Sequence, residues 1–111
     1  MIRLSTLITL LLMSSLSSLN AATYKGQKIY VDTCKECHGG GQALAGAKNT
    51  RTWEKIMDKK GEQLADIHLS SKKAQASWEY FGDKKFTKDS KHLEDFLTEY
   101  AKDSGNVPAC N

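Results

Sequence analysis

Cys34-Lys35-Glu36-Cys37-His38 is the one constellation in this chain whose residue types and spacing specify a chemistry. Thiols at i and i+3 of a helical segment emerge about one turn apart on the same side. Both can then reach the two vinyl groups on one edge of a porphyrin. His38, the next residue, falls beneath the iron, for which an imidazole nitrogen is a fitting axial ligand. Gly39-Gly40-Gly41 follows directly and lets the chain turn away from the porphyrin face without steric cost. A thioredoxin-like use of the two thiols would want a βαβ setting, which the pattern lacks. A zinc site would need further ligands at matching spacing, and His68, His92 and Cys110 are scattered. The expected cofactor is one haem c, covalently bound through Cys34 and Cys37 and held axially by His38.

The elements that must position these residues read as helices joined by short polar loops. A first helix is expected from about Tyr24 to Cys37. A second follows Thr50, a candidate N-cap, and carries Trp53, Ile56 and Met57 on one side until Gly61 interrupts it. Leu64, Ile67 and His68 then fall at i, i+3, i+4. Ser70 or Ser71 can cap a further helix bearing Ala74, Trp78 and Phe81, which Gly82 ends. The last helix is expected to start near Asp89 or Ser90, with a stripe of Leu93, Phe96, Leu97 and Tyr100, and to stop at Gly105 and Pro108. No alternation of period two is present. The expected fold is all-α, about four helices around one haem, and Tyr30, Trp53, Trp78 and Phe81 are candidate pocket walls.

Two segments give the chain a resemblance to the class I monohaem cytochromes c. One is Gly26-x-x-x-Tyr30-x-x-x-Cys34-x-x-Cys37-His38; the other is Leu93-x-x-Phe96-Leu97-x-x-Tyr100. The resemblance implies that a small residue and an aromatic on the N-terminal helix cross the C-terminal helix. Gly26 would let the two backbones approach, and the second segment would cover the other side of the contact and the haem edge.

The same resemblance exposes a departure. Most members supply a methionine as second axial ligand shortly before the C-terminal helix, and here Trp78 stands about where it would sit. Four arrangements of the sixth position are open. His68 lies on an apolar face with Leu64 and Ile67, where an imidazole wants a partner. The stretch Trp53-x-x-Ile56-Met57 followed by His68 is also similar to one in bis-histidine dihaem cytochromes. Met57 is the alternative sulfur ligand, though a thioether on that stripe also suits core filling. His92 precedes Leu93 at a helix start, and an open or water-bound iron completes the set. Methionine ligation raises a haem's potential relative to bis-histidine. An open iron would permit binding of a gas or peroxide.

The chain has 111 residues, with 16 Lys+Arg against 13 Asp+Glu and a formal net charge of +3. That balance is too even for nucleic-acid binding. Arg3, the apolar run Leu4 to Leu12 and small residues at Ala21 and Ala22 read as a signal peptide over residues 1–22, which leaves a cytochrome c domain over 23–111. The alternative, an uncleaved anchor, would use an apolar run shorter than the ~20 residues that span a bilayer. A periplasmic location follows, without a membrane span in the mature protein. A domain this small gains from a covalent cofactor that supplies part of its core. The expected function is electron carriage between a periplasmic dehydrogenase and a downstream oxidase or cytochrome. The lysine pairs 59–60, 72–73 and 84–85 are candidates for transient docking onto an acidic redox partner. The alternatives are a haem protein with an open sixth site, or a dedicated subunit of one redox enzyme. Cys110 is left over after haem attachment and is given no haem role.

Overall fold

The computed structural model describes residues 17–108, with side chains from Thr23 onward. The signal segment expected over 1–22 therefore lies outside the described residues apart from the backbone of 17–22, and Cys110 lies outside them too. Six helices follow one another: α1 (Ser17–Thr33), α2 (Lys35–His38), α3 (Gly41–Ala45), α4 (Thr50–Leu69), α5 (Trp78–Phe81) and α6 (Lys84–Glu99). A 3₁₀ turn, Lys72–Ser77, joins α4 to α5. The described residues contain no strand, so the fold is all-α. The count exceeds four because α2, α3 and α5 are each about one turn long.

Helices α1 and α6 cross in direct contact at Gly26. A Cβ there would overlap the His92 carbonyl oxygen and come within 2.9 Å of Phe96 Cβ. One turn on, Tyr30 packs against Phe96 with ring centres 5.3 Å apart, and Phe96 meets Tyr100 edge-on at 5.4 Å. The crossing expected from the two sequence segments is thus present. Around it lies the core: Tyr30, Trp53, Ile56, Met57, Phe86 and Leu93, closed by Phe96 and Leu97.

Helix α6 begins at Lys84, five or six residues before the expected start. Asp83 is its N-cap, accepting from the Lys85 N–H at 2.9 Å. The extra turn carries Phe86 into the core. Ser90 is buried on the same face, its hydroxyl donating to the Thr87 carbonyl at 2.8 Å. A serine at that place hides the i, i+4, i+7 continuity from Phe86 to Leu93.

Helix α4 is broken where Gly61 was expected to interrupt it. Asp58 is extended, and Lys59, Lys60 and Gly61 are all left-handed, with φ of 53°, 57° and 74°. Left-handed geometry costs a non-glycine residue roughly 1–2 kcal/mol. Gly61 is buried at this corner, where a Cβ would come 2.5 Å from Phe86 Cζ. At the other end Asn49, not Thr50, is the N-cap residue. The capping acceptor comes from far along the chain: Asp103 Oδ1 takes hydrogen bonds from the Thr50 N–H and hydroxyl, both 2.8 Å. These bonds hold the Asp103 carboxyl below its ordinary value.

The α1–α6 contact at Gly26 is backbone against the His92 backbone carbonyl, so no rotamer change relieves an added methyl. Gly26→Ala should lower stability by about 1–3 kcal/mol. Lys88→Ala, on the exposed face of α6, should leave the chemical-denaturation midpoint within error of wild type.

Candidate functional site

Between α1, α4 and the C-terminal half of α6 lies a cavity of about 360 Å³. Its apolar wall includes Tyr30, Leu44, Trp53, Leu64, Leu93 and Leu97. Its polar contents are few: Cys34, Cys37, His38 and His68 open onto it, with Thr33, Ser71, Lys73 and Ser77 at its edge. An apolar pocket with a small convergent donor set is the usual form of a cofactor site. Trp53 is fixed as its floor by a hydrogen bond from the indole N–H to the Ala45 carbonyl at 2.8 Å.

The attachment segment is positioned by the break between α1 and α2. Cys34 caps α2, half-buried, while Cys37 is exposed. Burial pushes the Cys34 thiol up, so it stays protonated and is a poor thiolate ligand for zinc. Among the described residues no group of three metal-ligating side chains comes together. After His38 the chain turns at Gly39, whose φ of 76° and ψ of −158° suit glycine. The Gly39 carbonyl accepts from the Tyr30 hydroxyl at 2.6 Å, tying the turn back to α1. Of the three glycines only Gly39 has this conformation; Gly41 is buried against Phe96 and Tyr30.

His68 comes to the cavity from the segment after the α4 break, and its ring centre lies 5.9 Å from that of His38 at an interplanar angle of 71°. Two imidazoles that share one metal through bonds of about 2 Å have ring centres about 6 Å apart. His68 Nδ1 lies 2.7 Å from the Leu64 carbonyl oxygen. A carbonyl only accepts, so Nδ1 carries the proton and Nε2 keeps its lone pair. One face of the ring stacks on Phe81 at 4.1 Å. His38 is exposed at the rim, yet enough protein surrounds its ring to hold the imidazole below its ordinary value, with His68 adding to the effect. Burial thus favours the neutral, ligating form of His38, the Leu64 bond leaves the Nε2 lone pair of His68 free, and the residues present fit a flat apolar macrocycle carrying a ligated iron.

The other candidates sit elsewhere. Met57 is 2 % exposed in the core beside Gly61 and Phe86 and does not line the cavity. His92 meets Gly26 of α1 through its backbone carbonyl, its Nδ1 is buried without a hydrogen-bond partner, and it does not line the cavity either. Of the four candidate pocket walls, Tyr30, Trp53 and Phe81 line the cavity and Trp78 does not. Its indole N–H points instead to the His68 carbonyl at 2.8 Å and the Ser71 carbonyl at 3.1 Å.

One group at the site escaped the sequence reading. Tyr80 donates to Asp89 Oδ2 at 2.8 Å and stands near Thr33 and Cys34. The only signal was the i, i+9 pairing of a tyrosine and an aspartate, which has no regular period. Burial raises the phenol above its ordinary value of 10.0, and the Asp89 carboxylate adds to the shift. A raised folded-state value for an acid means stability that is complete below pH 10 and declines above it as the unfolded phenol ionises. Tyr80→Phe should therefore flatten the fall in thermal midpoint above pH 10, seen as a smaller wild-type-minus-variant difference at pH 11 than at pH 8.

Neither characterised proteins nor solved structures give a match to the chain. The Cytochrome c family model matches residues 24–100, from within α1 to just past the end of α6, and spans Cys34 and Cys37, both cavity histidines and the helix crossing. The chain therefore belongs to the cytochrome c family, whose members bind a covalently attached haem c.

Proposed function

We propose that this chain is a monohaem electron carrier whose haem is joined to Cys34 and Cys37, with His38 and His68 as the two axial ligands. The separation of the two imidazoles, 5.9 Å, with the Nε2 of His68 left free by its Nδ1–Leu64 bond, is the observation that carries this reading. Bound haem supplies a one-electron couple, and the protein supplies everything around it. His38 and His68 would both hold the iron, so no substrate would need to approach it and the electron would pass at the haem edge. Leu64, Leu93, Leu97 and Trp53 exclude water and lower the local dielectric. Bis-histidine ligation implies a potential below that of a methionine-ligated relative.

The proposed setting is periplasmic, after removal of residues 1–22. Among the described residues no helix is long and apolar enough to cross a membrane. The electron would come from a periplasmic dehydrogenase and leave to an oxidase or another cytochrome. Exposed Lys73 stands on the cavity rim with exposed Lys72 next to it in the chain, and the pair would steer an acidic partner toward the haem edge.

Absorption spectra of the holoprotein test the reading. Low-spin spectra in both oxidation states, unaltered by carbon monoxide and lacking the weak long-wavelength iron–methionine band, are expected. A high-spin spectrum that shifts readily with carbon monoxide would overturn the closed carrier in favour of ligand binding or catalysis. His68→Ala should convert low-spin to high-spin haem. Cys34→Ala or Cys37→Ala should abolish normal two-bond attachment, so a denaturing gel with undiminished haem stain would refute the assignment.

A further inference from the structure

The segment that presents His68 is weakly held from its N-terminal side. Lys59, Lys60 and Gly61 are left-handed, so the helical hydrogen-bond ladder does not run on from residues 50–57 into 62–69. Ile67 and Leu69, which flank His68, are 52 % and 41 % exposed and contribute little packing. At the other end the helix stops at Leu69, where terminal carbonyls lose their helical donors. The His68 carbonyl accepts the Ser71 N–H at 3.1 Å and the Ser71 carbonyl accepts the Ala74 N–H at 3.0 Å, which closes two successive turns. One indole spans both: Trp78 Nε1 lies 2.8 Å from the His68 oxygen and 3.1 Å from that of Ser71. Phe81, one turn beyond Trp78, stacks on the His68 ring.

We infer that Trp78 is a positioning residue for the sixth ligand: its indole N–H fixes the backbone of His68 so that the imidazole stays on the iron. This rests on the assignment of His68 as ligand. The aromatic that stands where relatives carry an axial methionine does not ligate; it holds, through the backbone, the histidine that replaces it. The indole reaches both carbonyls from outside the cavity, so its action is on the ligand's backbone and not on the haem face.

The test compares how readily His68 leaves the iron. In the reduced holoprotein carbon monoxide can bind only after that bond opens, so its limiting rate at high gas concentration reads the opening. Trp78→Phe keeps a ring and removes the donor. It should leave a low-spin resting spectrum and raise the limiting rate about five- to tenfold, the factor expected from losing one charge-neutral bifurcated hydrogen bond. Gly26→Ala serves as a control of lowered global stability, and should raise the rate far less at equal loss of unfolding midpoint. Should Trp78→Phe fail to give holoprotein, site-specific benzothienylalanine at position 78 replaces the N–H by sulfur with little change of shape, and the same increase is expected. An unchanged rate in whichever of these folds overturns the inference, as does a rise no larger than the Gly26→Ala control. His68→Ala separates the two levels. If it goes high-spin while the position-78 variants bind carbon monoxide at the wild-type rate, the ligand assignment stands and the role of Trp78 falls. If His68→Ala leaves the spectrum unchanged, both fall together.

Discussion

Everything else in this small domain is arranged around the crossing of α1 and α6, where the backbone at Gly26 rests on the carbonyl of His92. Close approach there lets Tyr30 reach Phe96 and lets its hydroxyl reach Gly39. The attachment segment is thereby fixed relative to α6, whose Leu93 and Leu97 form one wall of the cavity. Had the helices stood further apart, the cysteines would hang from a helix end with no wall opposite them. The absence of a side chain at one position thus sets the width of a pocket formed largely by others.

The second organising fact is the division of labour along α4. Its first half packs Trp53, Ile56 and Met57 into the core; its second half delivers His68 to the cavity. An unbroken helix would have to serve both directions with one rotation per residue. Two lysines forced into left-handed geometry and a buried glycine change the direction instead. The strain at this corner is offset by the burial of Gly61 against Phe86 and by the freedom it gives the second half to meet His38.

Much of this was legible in the sequence because it depends on local spacing. The C-x-x-C-H segment, the stripe Leu93 to Tyr100 and the interruption at Gly61 all declare themselves within a few residues. The start of α6 did not, because Ser90 occupies a core position with its hydroxyl satisfied by Thr87 and so breaks the apolar pattern between Phe86 and Leu93. Thr50 looked like its own cap, yet the acceptor is supplied by Asp103, and no local rule reaches across that interval. Trp78 is a candidate pocket wall from sequence, yet it does not line the cavity. Its indole N–H is what acts, and the direction of a donor follows from tertiary geometry alone. The placement of His68 opposite His38 was suggested by its apolar neighbours, Leu64 and Ile67, but the proton on Nδ1 could be assigned only once the Leu64 carbonyl was seen beside it.

The Asp103 cap carries a consequence for the order in which the domain can assemble. A chain made from its N-terminus presents Cys34, Cys37 and His38 early, and these need only local structure to meet a haem. The helix that floors the pocket through Trp53 begins at Thr50, and its first N–H finds its acceptor only when residue 103 has arrived. The attachment segment and the bond that caps the floor helix are therefore supplied from opposite ends of the domain. The pocket is closed from both ends of the chain: α6 crosses α1 at Gly26, and the segment behind it reaches back to Thr50.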